Sequence, residues 1–149
     1  MLQTILIMRN IPLSHSLRSD KFHVSFYGMA GPMQTVLVVE DEPLVRNLIA
    51  AQLVEAGYSV IEVGNADKAI AILEARQDIH LVFTDIDMPG SMDGLKLAAA
   101  VRDRWPPVHI IITTGRVRPI VMPSGALFIS KPYLHGAVIS AIRTFGDGS

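Results

Sequence analysis

From Gln34 onward, short apolar runs alternate with stretches whose apolar residues recur at helical spacing, and this alternation admits only a narrow class of folds. Thr35-Val36-Leu37-Val38-Val39 is a buried-strand run rich in β-branched residues. Pro43 then stands in a helix first turn, where its missing N–H is no loss. Leu44, Val45, Leu48, Ile49, Ala51, Leu53 and Val54 recur behind it until Gly57 stops the helix. Residues 58–62 alternate like a second strand, and Asn65 is placed to cap a helix carrying Ala66, Ala69, Ile70, Ile72 and Leu73. A third strand is expected over 79–84, a third helix over 95–104, a fourth strand over 108–112, a fifth over 126–129 and a closing helix over 134–145. Near-continuously apolar strands between helices imply a parallel sheet covered on both faces, a doubly wound α/β fold. Right-handed crossovers bring the C-terminal end of every strand to one edge. Ligands of open sheets bind beyond that edge, where strand order reverses, so function is expected just after residues 39, 84, 112 and 129.

The residues at those four places are chemically specific. The first strand runs into Glu40-Asp41, the third into Asp85-Ile86-Asp87-Met88-Pro89-Gly90, the fourth into Thr113-Thr114-Gly115 and the fifth into Ser130-Lys131-Pro132. Clustered carboxylates repel one another unless a cation bridges them. Hard oxygen ligands without His or Cys favour magnesium, which keeps waters and takes phosphate as a co-ligand. A carboxylate beside such an ion can attack phosphorus and become an acyl phosphate. The transferring group then needs positive charge and donors on its oxygens, for which Lys131 offers charge and Thr113 a hydroxyl.

These pieces, in this order and spacing, resemble the receiver domain of two-component response regulators. The resemblance covers residues 34–145 and rests on Val36-Leu37-Val38-Val39-Glu40-Asp41-Glu42-Pro43, on Asp85-Ile86-Asp87-Met88-Pro89-Gly90 with Asp93-Gly94, on Ile111-Ile112-Thr113 and on Lys131-Pro132. It implies a stand-alone, flavodoxin-like, five-stranded parallel sheet of order 2-1-3-4-5. It also implies that Asp85 is the phosphoacceptor, that Asp41 ligates Mg2+ directly, that Glu40 acts through a metal-bound water, and that the backbone carbonyl of Asp87 is the third protein ligand. Thr113 would be the hydroxyl that moves toward the phosphoryl group, Lys131 its cationic partner with Pro132 following through a cis peptide, and Phe128 the aromatic that repacks with the threonine. The implied partners are a histidine kinase or histidine phosphotransfer protein and a downstream protein target. No catalytic activity is implied beyond slow autodephosphorylation.

Three features depart from the family. Ser91 reads as a one-residue insertion between Pro89-Gly90 and Asp93-Gly94. Asp87 places a second carboxylate two residues after the acceptor, where it bears on water attack at the acyl phosphate. Only about a dozen residues separate Thr114 from the fifth strand, and they include Pro119 and Pro123. Proline inside a helix costs about 3 kcal/mol. Helix four, between strands four and five, is therefore expected to be short or missing, and the family's dimerisation face to be remodelled.

Plainer roles exist for each residue taken singly. Glu40-Asp41 suits a helix N-terminus, Lys131 an exposed surface, Thr113 a strand, and Phe128 the core. Thr114 stands ready to replace Thr113 as the hydroxyl or to be inert. The histidines at 15, 23, 80, 109 and 135 lack metal-ligand spacing. His109 reads as a core or edge residue and Trp105 as packing at a helix end. Two other functions compete: a receiver-fold scaffold that is never phosphorylated, and a haloacid-dehalogenase-type phosphatase using Asp85-Ile86-Asp87. The second fits poorly, since Met88-Pro89 follows where Thr or Val is expected.

The chain of 149 residues is half hydrophobic, enough for one domain with a core. Thirteen basic against fourteen acidic residues leave a charge of -1, with no footprint for nucleic acid or an anionic membrane. Zero cysteines exclude disulfides and thiolate sites and fit a reducing cytoplasm. No run approaches the roughly 18 apolar residues of a spanning helix, and the apolar start broken by Arg9 reads as neither signal nor anchor. Residues 1–33 read as a poorly ordered extension, with a docked element over 3–8 as the rival, and 34–149 as the receiver domain. With the last helix ending at Phe145, output is expected through protein contact or onward phosphotransfer rather than an attached domain.

Overall fold

The computed structural model describes residues 33–134 and 136–146. The expectations for the extension, for the element over 3–8 and for His15, His23 and His135 therefore lie outside the described residues. The described chain runs β1 (Thr35–Val39), α1 (Pro43–Glu55), β2 (Ser59–Val63), α2 (Ala66–Ala75), β3 (Ile79–Asp85), α3 (Gly94–Arg104), β4 (His109–Thr114), β5 (Leu127–Ser130) and α4 (Ala137–Arg143). The five strands form one sheet of order β2-β1-β3-β4-β5, and every neighbouring pair is parallel.

Side-chain alternation divides the core in two. Leu37, Val39, Val82, Ile110 and Ile112 face α2 and α3, where they meet Ala69, Leu73, Leu97 and Val101. Val36, Val38, Leu81, Phe83 and Ile111 face α1 and α4, where they meet Ile49, Leu53, Val138 and Ile142. Strands buried on both faces explain the unbroken apolar runs.

Local chemistry sets the helix ends. The Asn65 side chain accepts a hydrogen bond from Lys68 N at 2.9 Å, and that of Asp93 from Lys96 N at 2.9 Å, so each satisfies an orphan donor of a first turn. The last helix is shorter than its pattern suggests. Gly136 precedes it at φ 85°, a left-handed conformation that cannot continue a helix.

No helix joins β4 to β5, so the expected loss of helix four holds. Residues 115–126 cross irregularly, with Met122 and Ala126 packed on the α2/α3 side. Arg102 of α3 ties the crossover down: its guanidinium donates to Ser124 O at 2.9 Å, Pro106 O at 2.6 Å and Val108 O at 3.3 Å. Val117, Ile120 and Val121 stand almost fully exposed along it. His109 opens β4 on the surface and stacks on Phe145 with ring centres 4.3 Å apart. Trp105 ends α3, half-buried, with Arg104 4.3 Å over its ring.

Candidate phosphoryl-accepting site

The four strand ends converge. Glu40 follows β1 and is 1% exposed, and Asp85 closes β3 at 4%. Carboxylate oxygens of Glu40, Asp41 and Asp85 lie within 4.8 Å of one another. From the end of β5, Lys131 reaches over them. Its Nζ donates to Glu40 Oε1 at 3.0 Å and stands 3.4 Å from Asp85 Oδ1. Glu40 Oε2 accepts from the Glu42 amide at 3.2 Å. The Lys131–Pro132 peptide is cis.

Asp85 is held in place by backbone. Ile86 N donates to Thr113 O at 2.9 Å and Gly94 N to Ile86 O at 3.0 Å. A Cβ on Gly94 would collide with the Asp85 carbonyl. The Asp93-Gly94 pair thus supplies a helix cap and the bare backbone that lets α3 start against Asp85.

The electrostatics leave Asp85 short of partners. Burial pushes its carboxyl up to about 6, Lys131 pulls it down, and the charges of Glu40 and Asp87 push it up again. Its buried Oδ1 makes no hydrogen bond. Burial alone would lower Lys131, but its hydrogen bond to Glu40 and the charges of Asp85 and Glu40 outweigh burial and raise it. Three close hard oxygens around an unsatisfied buried carboxylate atom fit a small divalent cation with oxygen preference. Asp41, Asp85 and Glu40 are the side chains that could hold such an ion.

The two threonines ending β4 have different surroundings. Thr113 pairs with Asp85 across the sheet, in phase with Ile111. It is fully buried near Tyr133, and neither hydroxyl finds a hydrogen-bond partner. Burial raises the Tyr133 phenol, while the nearby Thr113 hydroxyl pulls it down. Thr114 lies in phase with Ile112, whose partner is Phe128. Its hydroxyl donates to Asp87 Oδ2 at 2.6 Å and accepts from Arg116 N at 3.1 Å. The Arg116 guanidinium stands 3.4 Å from Asp87 Oδ1. Phe128 packs on the α2/α3 side with Arg118 5.8 Å over its ring. Of the two hydroxyls, the one bonded to an acid of the β3–α3 loop is therefore Thr114, which the sequence pattern ranked second.

A buried aspartate, two neighbouring acids and a lysine gather on the C-terminal edge of this 2-1-3-4-5 parallel sheet. Residues 36–143 match the family model described as "Response regulator receiver domain", and the chain belongs to that family. Transcriptional regulatory protein AruR of Pseudomonas aeruginosa is 46% identical over 85 residues, covering 54% of this chain and 34% of that protein. Nitrogen assimilation regulatory protein NtrX of Azorhizobium caulinodans is 35% identical over 104 residues, covering 66% and 23%. The chain thus spans about a quarter to a third of the length of the curated relatives it matches. Among solved structures, the response regulator TrrA of Thermotoga maritima in complex with Mg(2+)-BeF superposes with a TM-score of 0.70 at 27% identity, covering 76% of this chain and 100% of that one. TrrA in complex with histidine kinase ThkA superposes at 0.66 with 28% identity, covering 75% and 97%. Among the described residues, no helix is long and apolar enough to cross a membrane.

Proposed function

We propose that Asp85 accepts a phosphoryl group from a phosphohistidine, carried by a histidine kinase or a histidine phosphotransfer protein, and that the resulting acyl phosphate signals through contact with a downstream protein. The observation that carries this reading is the buried, unbonded Oδ1 of Asp85, 3.4 Å from Lys131 and clustered with Glu40 and Asp41. Attack by an Asp85 oxygen on phosphorus breaks the donor's N–P bond and returns the electron pair to the imidazole. The charge on the transferring oxygens then needs compensation. Lys131 supplies it by leaning from Glu40 toward the phosphoryl group. One of the two threonine hydroxyls that end β4, Thr113 or Thr114, supplies a further donor.

Asp41, the Asp85 carboxylate and the Asp87 backbone carbonyl would hold Mg2+, with Glu40 reaching it through water. The ion's chemistry there is to neutralise the acids and draw charge from the phosphoryl oxygens. Phe128 and the crossover over 115–126 are the elements that change when the β4 hydroxyl moves. The donor protein must cover this edge to reach Asp85. Leu44, in the first turn of α1, and Leu134, three residues past Lys131, are 76% and 83% exposed and offer apolar surface for that contact.

Incubation with acetyl phosphate and magnesium, followed by intact-mass measurement, tests the reading. Wild type is expected to gain the mass of one phosphoryl group and Asp85→Ala none. No gain in wild type would sink it.

A further inference from the structure

Asp87, Thr114 and Arg116 form a closed ring. The Thr114 hydroxyl donates to one Asp87 oxygen at 2.6 Å, the Arg116 guanidinium stands 3.4 Å from the other, and the Arg116 amide donates back to the Thr114 hydroxyl at 3.1 Å. A short hydrogen bond to an ionised acceptor is among the stronger kinds. A hydroxyl has one proton to give, so Thr114 cannot serve Asp87 and a second anion together. Thr113 is no rival for this part, since it packs on the opposite sheet face beside Tyr133.

We propose that Asp87 is a latch: its carboxylate holds the Thr114 hydroxyl in the resting protein, and a phosphoryl group on Asp85 must take that hydroxyl away from it. The proposal rests on Asp85 as the acceptor. It makes Asp87 a positioning residue that acts through Thr114.

The competition reaches further than one hydrogen bond. Thr114 is the last residue of β4, and the crossover leaves the sheet immediately after it. Arg116 follows Thr114 because it shares Asp87 with it, and Arg118 caps Phe128, whose strand partner is Ile112. Release of Thr114 therefore draws away the hydroxyl that the Arg116 amide donates to and loosens the crossover at its first residues, while Arg102 keeps the far end anchored at Ser124.

The test is a double-mutant cycle on the affinity for beryllofluoride with magnesium, used as a phosphoryl stand-in on Asp85 and measured by calorimetry. Removing the Asp87 charge favours an incoming anion by simple electrostatics, and that gain must be the same whether or not Thr114 has a hydroxyl. The latch adds a gain that needs the hydroxyl. Asp87→Ala is expected to tighten binding about tenfold more in the wild-type background than in Thr114→Val, a coupling of about 1.4 kcal/mol. Asp87→Asn, which loses the same charge but keeps an acceptor oxygen, is expected to show less of that gain than Asp87→Ala. Thr113→Val is expected to leave the Asp87→Ala gain intact. An equal gain in the wild-type and Thr114→Val backgrounds overturns the latch, as does a gain that vanishes with Thr113→Val. If neither wild type nor Asp87→Ala binds, Asp85 as acceptor fails and the latch falls with it. Binding that is abolished by Asp85→Asn but shows no coupling overturns the latch alone.

Discussion

Replacing Asp85 by asparagine should make the metal-free protein more stable at neutral pH. Burial and the acids around it raise the Asp85 carboxyl from 3.8 to about 6 in the folded protein. The sign follows from which state holds the proton more tightly. Below about pH 4 the carboxyl is protonated in both states. Between about pH 4 and 6 the unfolded chain releases the proton while the folded chain keeps it, so stability falls as pH rises through this window. At about 1.4 kcal/mol for each pH unit, the loss is about 3 kcal/mol once both states are ionised. The substituted side chain has nothing to ionise. The stability gap between Asp85→Asn and wild type should therefore widen by about 2.4 kcal/mol between pH 4 and 7, or about 8 °C in Tm for a domain of this size. Thermal unfolding of both proteins in a chelator, over a pH series, measures the gap, and the histidines cancel because both proteins carry them. Magnesium at a hundredfold its Kd should return about 2.7 kcal/mol to wild type and much less to the variant. Parallel pH curves for the two proteins would refute the burial argument for Asp85.

Three further perturbations have definite outcomes. Lys131→Met leaves Glu40, 1% exposed, without its cation; unfolding in urea without magnesium should show a loss of about 2–4 kcal/mol. Gly94→Ala drives a methyl into the Asp85 carbonyl, so its unfolding free energy in urea should drop by about 1–3 kcal/mol and its acetyl phosphate labelling should slow, whereas Gly90→Ala, with open space at its Cβ position but a φ of 113°, should cost stability yet leave labelling rates unchanged. Arg102→Ala removes three hydrogen bonds to carbonyls of the crossover and of the turn before β4; hydrogen exchange should quicken over residues 122–126 while amides of β1 and β3 keep their protection.

The fold was largely legible in the chain because its three central strands are buried on both faces. Such strands read as unbroken β-branched runs, and right-handed crossovers leave one arrangement of their ends. The gathering of Glu40, Asp41, Asp85 and Lys131 at one edge was readable for the same reason: each ends a strand or follows one within two residues, so placing the strand places the residue. The missing helix between β4 and β5 was readable from Pro119 and Pro123 alone. The closing helix was over-extended, because its apolar spacing continues through Gly136 while the backbone there turns left-handed.

Tertiary structure decided what depends on pairing. Whether Thr113 or Thr114 meets an acid turns on a register of one residue, and a shift of one exchanges the two faces of a strand. That register is set by β4 lying between β3 and β5, with Asp85 opposite Thr113 and Ile112 opposite Phe128. The same holds for Lys131, which the chain pointed toward the acceptor and which the folded protein hydrogen-bonds to Glu40, 91 positions away. The choice of strand ends is local chemistry; the choice among the partners they bring together is made by distances that exist only once the sheet has closed.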